Sequence, residues 1–378
     1  MFVRRQVFEG AGNESLFLWG ARQTGKSTLL KSLYPDAMWF DLLKTDLYRR
    51  YLSDPVQFRE AVLADKAGRV VIVDEIQKVP ALLDEIHWLM ENSGTRFILS
   101  GSSARKILRS GVNLLGGRAL RYELYPLVSS EIPDFDLLRA LNNGLLPRHY
   151  LSDSPRRMLD AYVGNYLRDE IVAESRIRNI EAFSRFLEAA AFSNGEMVNH
   201  TNIAVDCGVS HNTVREYFQI LEDTLIGRFL PSFQKRPKRR VVASPKFYYF
   251  DLGVANSLLR RRVEMGGESM GHAFEHFIFQ ELHAHSRYTG LGYPFAFWRT
   301  SSGIEVDFIL GDHQVAVEVK STGNVQPRHL SGLKAFAEEY RVDTSILVCN
   351  EPIERRIGDI RILPWKVFLS RLWDGDII

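Results

Sequence analysis

Short apolar runs at Leu16–Trp19, Val70–Val73 and Phe97–Leu99, and a strand-like run at Leu120–Leu124, are separated by amphipathic stretches through the first 126 residues. A continuous apolar run that ends in a polar turn is the pattern of a strand buried on both faces. The rhythm therefore predicts an α/β unit on a parallel sheet over residues 1–126. From Pro126 to about Ser175 the period becomes helical, with Met158, Leu159, Tyr162, Val163, Tyr166 and Leu167 at helical spacing, and residues 127–175 are read as a small lid. Residues 199–221 predict two short helices: Ile203 and Ala204 face inward on the first, Gly208 permits a turn, and Ser210 caps a second bearing Val214, Tyr217, Phe218 and Leu221. They belong to a middle unit, 176–260. In residues 261–378, a helix-like segment Gly271–Leu282 precedes two strands, Ile304–Leu310 and Val315–Lys320, joined by the turn Gly311-Asp312-His313.

Chemistry enters at the ends of the first strands. Gly20-Ala21-Arg22-Gln23-Thr24-Gly25-Lys26-Ser27 has the two glycines, lysine and hydroxyl of a phosphate loop and follows a strand. Its glycines let backbone N–H groups turn toward phosphate, Lys26 reaches the β and γ oxygens, and Ser27 ligates Mg²⁺ where a helix begins. Gly20, Ala21, Gln23, Thr24, Gly25, Lys26, Ser27 and Thr28 are thus the expected ATP-binding residues. The second strand delivers Asp74 and Glu75 at its carboxyl end, where doubly wound sheets bind ligands. Asp74 is expected to complete the Mg²⁺ shell and Glu75 to polarise the attacking water. The third strand ends in Ser100-Gly101-Ser102-Ser103, with Ser100 expected to hold the water or γ-phosphate. Arg118, after Gly116-Gly117, is the candidate arginine finger, with Arg105 and Arg121 as rivals.

Gly20 to Thr28, Val70 to Glu75, Phe97 to Ser102, Leu114 to Arg118 and Leu124-Tyr125-Pro126-Leu127 together resemble the AAA+ ATPases. The likeness is to a prokaryotic subgroup with a short lid and a C-terminal domain of unknown function, and it runs the length of the chain. That resemblance implies a homo-oligomeric ring or partial ring, commonly a hexamer, in which Arg118 completes a neighbour's site.

The middle unit reads as winged-helix-like, with His211, Asn212 and Arg215 facing outward. Lys235, Arg236, Lys238, Arg239 and Arg240 form a basic run beside Phe233, Phe247, Tyr248 and Tyr249. On a wing these charges would neutralise nucleic-acid phosphates; the other reading is a solvated loop on a module that docks protein.

In the C-terminal unit, alternation puts Asp307 on one face of its strand and Glu318 with Lys320 on one face of the next. This is the PD-(D/E)xK nuclease pattern. With Glu275 on the preceding helix, the unit resembles the Holliday-junction-resolvase branch of restriction-endonuclease-like folds. Glu275, Asp307 and Glu318 are then expected to hold Mg²⁺ or Mn²⁺, and Lys320 to orient a water for attack on phosphate.

Composition agrees with this picture. At 378 residues and 45% hydrophobic content the chain fills several cores, and a net charge of +2 leaves any nucleic-acid contact to local patches. Two cysteines exclude a disulfide framework, and no apolar stretch approaches a membrane span, so a cytoplasmic protein is expected. The sequence points to an ATP-hydrolysing AAA+ protein acting on DNA, branched or single-stranded, with a metal-dependent nuclease-type domain. The alternative is a nucleotide-controlled switch whose winged helix docks a protein and whose nuclease-like domain is a scaffold.

Overall fold

The computed structural model describes residue 8 and residues 11–65, 67–103, 105, 115–170, 177, 179–235, 239 and 241–378. Leu114, Arg236, Lys238 and Arg240 lie outside them. The first unit is a five-stranded sheet in the order β2-β3-β4-β1-β5, with β1 Ser15–Trp19, β2 Met38–Asp41, β3 Val71–Asp74, β4 Phe97–Gly101 and β5 Ala119–Glu123. All its pairings are parallel. Every residue of β1, β3 and β4 is buried, because helices cover both faces. Helices α1 Lys26–Leu33, α2 Thr45–Ser53, α3 Val56–Leu63 and α4 Leu82–Ser93 connect the strands. The order places β4 between the strand that leads into the phosphate loop and the strand that carries Asp74, so the three carboxyl ends form one edge.

The expected lid contains α5 Leu137–Asn143, α6 Pro147–Leu151 and α7 Pro155–Ala161, continued by a wider-wound turn over Tyr162–Glu170. It does not stand apart. Leu127, Ile132, Leu137, Leu141 and Tyr150 share a core with Phe274, Phe277 and Phe368 of the C-terminal unit. Leu146, Leu159 and Tyr162 share another with Phe183, Phe218 and Val254 of the middle unit. The boundaries expected at 126, 175 and 260 are thus crossed by buried apolar surface, since helical periodicity reports that a face is buried and not what buries it.

In the middle unit, α8 Ile180–Phe192 packs behind α9 His200–Cys207 and α10 His211–Asp223. Asn199 and Ser210 accept backbone N–H groups at the starts of α9 and α10, and Gly208 ends α9 at φ 66°. Strands β6 Gly227–Leu230 and β7 Lys246–Tyr249 pair antiparallel beside them, and α11 Leu252–Leu258 follows. Asp251 caps α11 and also accepts Leu145 N at 2.7 Å, stitching the lid to the middle unit.

The C-terminal unit opens with α12 Met270–Tyr288 and continues with β8 Phe295–Arg299, β9 Glu305–Leu310, β10 Val315–Val319, α13 Ser331–Glu339, β11 Thr344–Cys349, β12 Arg355–Ile357, β13 Ile360–Pro364 and α14 Trp365–Asp374. Its six strands run β12-β13-β11-β10-β9-β8, with β10, β11 and β13 parallel and β8 and β9 antiparallel additions. Simple alternation fails at Asp307: Val306 and Phe308, two positions apart, pack into cores on opposite faces. The pairing steps from Ala296↔Ile309 to Trp298↔Val306, so β9 carries an extra residue there. Such a bulge re-aims a side chain, and here it turns the Asp307 carboxylate to accept Val319 N at 2.7 Å.

Glu281 of α12 ties this unit back to the lid, accepting Ser129 N at 2.7 Å and Trp373 Nε1 at 2.8 Å. Its burial raises the carboxyl pKa from 4.5 to about 7 despite those donors. The folded chain retains a proton there that the unfolded chain releases, so this stabilisation is complete below pH 4.5 and is lost as pH rises through about 7. Glu281→Gln, which cannot ionise, is therefore expected to gain in melting temperature over the parent between pH 4.5 and pH 7, as thermal unfolding across that range will show.

Candidate nucleotide site and a second acidic cluster

The phosphate loop is held in a conformation few residue types tolerate. Gly25 lies at φ 96° and Gln23 at φ 65°. A Cβ at Gly20 would meet Leu124 O at 2.5 Å. Thr24 is fully buried and donates to Ala21 O at 2.9 Å. Lys26, the first residue of α1, is buried and donates from Nζ to Gly20 O at 2.6 Å and to Ala21 O at 3.2 Å. Its pKa is lowered by burial, against the pull of Glu75 and Asp74. Lys26 thus folds back onto the loop carbonyls, the bonds it would exchange for phosphate oxygens. Gln23 and Thr28 lie exposed at the rim.

Ser27 Oγ donates to Asp74 Oδ2 at 2.7 Å, and Ser100 Oγ donates to Asp74 Oδ1. The sheet order brings these three residues, separated widely in sequence, to one point. The hydroxyl of Ser27 and the carboxylate of Asp74 are hard oxygen donors at hydrogen-bond separation, a set that fits Mg²⁺. Glu75, 8% exposed, sits at φ 62°, a strained conformation for a glutamate. Gln77 Nε2 donates to Glu75 Oε2 at 2.5 Å and to Ser102 Oγ at 3.0 Å. A Cβ at Gly101 would fall 2.3 Å from Gln77 Oε1, so that glycine makes room for the amide.

Gln77 was not visible as a site residue in the sequence. Its one signal is a polar side chain two positions after Glu75, where the chain turns back beneath the sheet edge. From Ser102 the contacts go on: Ser103 Oγ donates to Asp223 O at 2.9 Å, and Arg105 forms an ion pair with the Asp223 carboxylate. Arg105 is buried in that pair, facing its own chain. Arg118 is 47% exposed beside Glu91, and Arg121 is also exposed.

The outward placement expected on α10 is seen for His211, Asn212 and Arg215, which are exposed. Of the basic run, Lys235 and Arg239 are among the described residues. Lys235 pairs with Asp312, and Arg239 pairs with Glu338 and Glu339, so both dock onto the C-terminal unit. Those acids lie far along the chain, and local charge density gave no sign of them. A cleft of about 510 Å³ elsewhere, between α5, α7 and the end of α11, is lined by Arg139, Arg156, Arg260, Arg261 and Arg262.

At the C-terminal unit the bulge and hairpin bring Asp307, Glu318 and Lys320 together. Lys320 Nζ lies 2.5 Å from Glu318 Oε1 and 3.9 Å from Asp307 Oδ2. Glu275, the third expected ligand, is engaged by other donors. Its Oε1 accepts Lys246 Nζ at 2.9 Å and the Tyr248 hydroxyl at 2.5 Å, and Lys246 Nζ also lies 2.6 Å from Glu305 Oε1. Both donors come from β7, in the unit before.

Among the described residues no three histidine, cysteine or acidic side chains are arranged to hold a metal ion. As arranged, the acids do not fit the divalent cation expected from the pattern. Burial, then Glu275, raises the Asp307 pKa to about 7. Burial, then Asp307, pushes Glu318 well above the carboxylate range. Glu318 Oε2 is buried without a hydrogen-bond partner among the described residues.

Comparison with known proteins agrees with the first of these two centres. Residues 12–133 match the AAA domain family, residues 134–264 a domain of unknown function (DUF8612), and residues 270–368 another (DUF4143). The N-terminal unit is a P-loop ATPase domain of the AAA class. An uncharacterized protein of Mycobacterium tuberculosis is 26% identical over 321 residues, covering 81% of this chain and 70% of its own. One from Methanocaldococcus jannaschii is 22% identical over 340 residues, covering 81% and 74%. AMPPCP-bound DnaA from Aquifex aeolicus superposes with a TM-score of 0.30 at 14% identity, covering 58% of this chain and 83% of that one. Among the described residues no helix is long and apolar enough to cross a membrane.

If Gln77 orients Glu75, Gln77→Ala is expected to lower ATP turnover about tenfold or more while leaving affinity for a non-hydrolysable analogue unchanged. A steady-state assay beside a binding titration separates the two; a loss confined to affinity would remove Gln77 from the hydrolytic step.

Proposed function

We propose that the chain hydrolyses ATP between subunits of a homo-oligomeric ring, commonly a hexamer, and spends the cycle on loading, remodelling or processing DNA, branched or single-stranded. The observation that carries this reading is the single sheet edge on which Lys26, Ser27, Asp74, Glu75 and Ser100 converge. Lys26 exchanges its loop carbonyls for the β and γ oxygens, and the backbone N–H groups at the start of α1 share that charge. Ser27 and Asp74 would hold Mg²⁺, which would supply charge neutralisation at the phosphates. Glu75, aligned by Gln77, takes up the proton of the attacking water, and Ser100 fixes the Asp74 carboxylate from its other side. Arg118 of one subunit reaches the γ-phosphate of the next, replacing its surface pair with Glu91.

The contact path from Glu75 through Gln77, Ser102 and Ser103 to Asp223 gives the hydrolytic centre a direct line to α10. DNA contact is supported by His211, Asn212 and Arg215 on the exposed face of that helix, in a winged-helix-like unit. The arginine cleft supports it further. Among the described residues, its five arginines share the wall with two acids, Asp136 and Asp160, and phosphate oxygens would balance the excess.

The C-terminal unit is proposed as a nuclease-type fold carrying Asp307, Glu318 and Lys320. A second reading, the nucleotide-controlled switch with a non-cleaving scaffold, is favoured by the engagement of Glu275 with Lys246 and by the docking of Lys235 and Arg239 on acids of the same chain.

Lys26→Ala is expected to weaken ATP binding, Glu75→Gln to keep binding and lose about 10² or more in turnover, and Arg118→Ala to lose roughly 10³ with affinity intact. Normal turnover by Glu75→Gln would sink the assignment. Single-stranded or branched DNA is expected to stimulate the parent ATPase, and Arg260→Glu with Arg262→Glu to remove that stimulation without touching the basal rate. Stimulation that survives the charge reversal would clear the cleft of the role.

A further inference from the structure

Lys246 is an unusual residue to find where it is. It is 3% exposed, lies on β7 between Phe247 and a proline-led loop, and points its ammonium out of the middle unit into the acidic cluster of the C-terminal one. A lysine at that depth is stable only where carboxylates surround it. Its Nζ sits 2.9 Å from Glu275 Oε1 and 2.6 Å from Glu305 Oε1. Tyr248, two residues on and on the same side of the strand, adds its hydroxyl to the Glu275 oxygen. Arg299 Nη1, 3.0 Å from Glu305 Oε2, completes the outer side. With Lys320 on Glu318 and Asp307, four carboxylates are met by three side-chain cations, from β7, from β8 and from the residue that follows β10.

The cluster therefore carries the acids of a divalent-cation site and supplies the neutralising charge from within the chain. A lysine ammonium that lies directly on a carboxylate oxygen competes with a divalent ion for that oxygen, as Lys246 does at Glu275 and Glu305. One acceptor has been left over: Glu318 Oε2, buried and without a hydrogen-bond partner among the described residues. Gly332 lies on the α13 side of that oxygen, which a Cβ there would approach to 3.5 Å. The acids are gathered but, as arranged, do not form an ion's ligand set, and the oxygens of Glu275 and Glu305 are held by Lys246 of β7.

We propose that Lys246 is an internal counter-ion that keeps divalent metal out of the Glu275, Asp307 and Glu318 cluster, so that the C-terminal unit is shut as a metal site while β7 is docked, and opens to Mg²⁺ or Mn²⁺ when Lys246 leaves. The inference rests on the nuclease-type reading of that unit for the identity of the ion, but not on any cleavage activity. It assigns to the middle unit a role in the chemistry of the C-terminal one: β7 decides whether the acids see a metal. The amide of Lys246→Gln preserves much of the side-chain volume and removes the charge, leaving Glu275 and Glu305 in need of a cation.

The test is Mn²⁺ occupancy of the full chain, counted from the spin-resonance signal of free Mn²⁺ without nucleotide, in a background bearing Asp74→Asn so that the ATP site adds nothing. Lys246→Gln is expected to hold one more Mn²⁺ per chain than the Lys246 protein, bound at least about tenfold more tightly than any site there, and to lose it when Asp307→Asn is added. Its melting temperature should rise with Mn²⁺, whereas that of the Lys246 protein should not. A folded Lys246→Gln that gains no ion overturns the proposal. So does an Asp307-dependent Mn²⁺ site with Lys246 in place, a measurement that needs only the Lys246 protein and its Asp307→Asn variant and so decides the matter even if Lys246→Gln fails to fold. Because metal occupancy is read and not DNA cleavage, a protein that binds no DNA and cuts nothing refutes the proposed function while leaving this result intact.

Discussion

A carboxylate removed from water must be met by donors or by a cation, and the architecture of this chain is organised around two places where that demand is concentrated. At the edge of the first sheet, Asp74 is met by the hydroxyls of Ser27 and Ser100. Neutral donors of this kind are readily exchanged, so the carboxylate stays available to an ion arriving with a nucleotide. In the C-terminal unit Glu275 and Glu305 are met by the ammonium of Lys246. A charged partner of that kind has to be physically withdrawn before anything else can bind. The same class of residue is thus poised for exchange at one centre and locked at the other.

The two centres are joined by short paths. Tyr248, Tyr249 and Phe250 line a small cavity with Gly20 and Ala21 of the phosphate loop, while Lys246 and Tyr248 hold Glu275. One strand of four residues is therefore in touch with the loop that cradles phosphate and with the acids of the distant unit. On the other side, Asp223 binds the tip of β4 to the end of α10. A change in the loop or in the Glu75 turn reaches the middle unit by contact.

How much of this was readable in the sequence depends on how local each feature is. The phosphate loop, Asp74 and Glu75 are written in consecutive residues, because a strand, a tight turn and a helix start each need particular residue types in order. The Asp307, Glu318 and Lys320 grouping was likewise legible from a hairpin pattern, although the bulge at Asp307 was not, since an extra residue in a ladder leaves no trace in apolar spacing. Lys246 escaped notice because its partners lie 29 residues and more away, and a lysine beside aromatic residues reads as an ordinary strand edge. The partners of the basic run are hidden for the same reason: Lys235 and Arg239 find Asp312, Glu338 and Glu339 only in the folded chain. Gln77 sits close to Glu75 in sequence, but its value comes from Ser102 on another strand.

The cores that run across the unit boundaries bear on how such a chain is inherited. Leu127, Leu141 and Tyr150 are as much a part of the C-terminal interior as Phe277 or Phe368, and Ala284 and Tyr288 of α12 are equally embedded behind the first sheet. A recombination junction placed in any of the connecting stretches would tear apolar surface open on both sides. A shuffled gene would therefore have to carry all three stretches across intact for these apolar faces to stay covered.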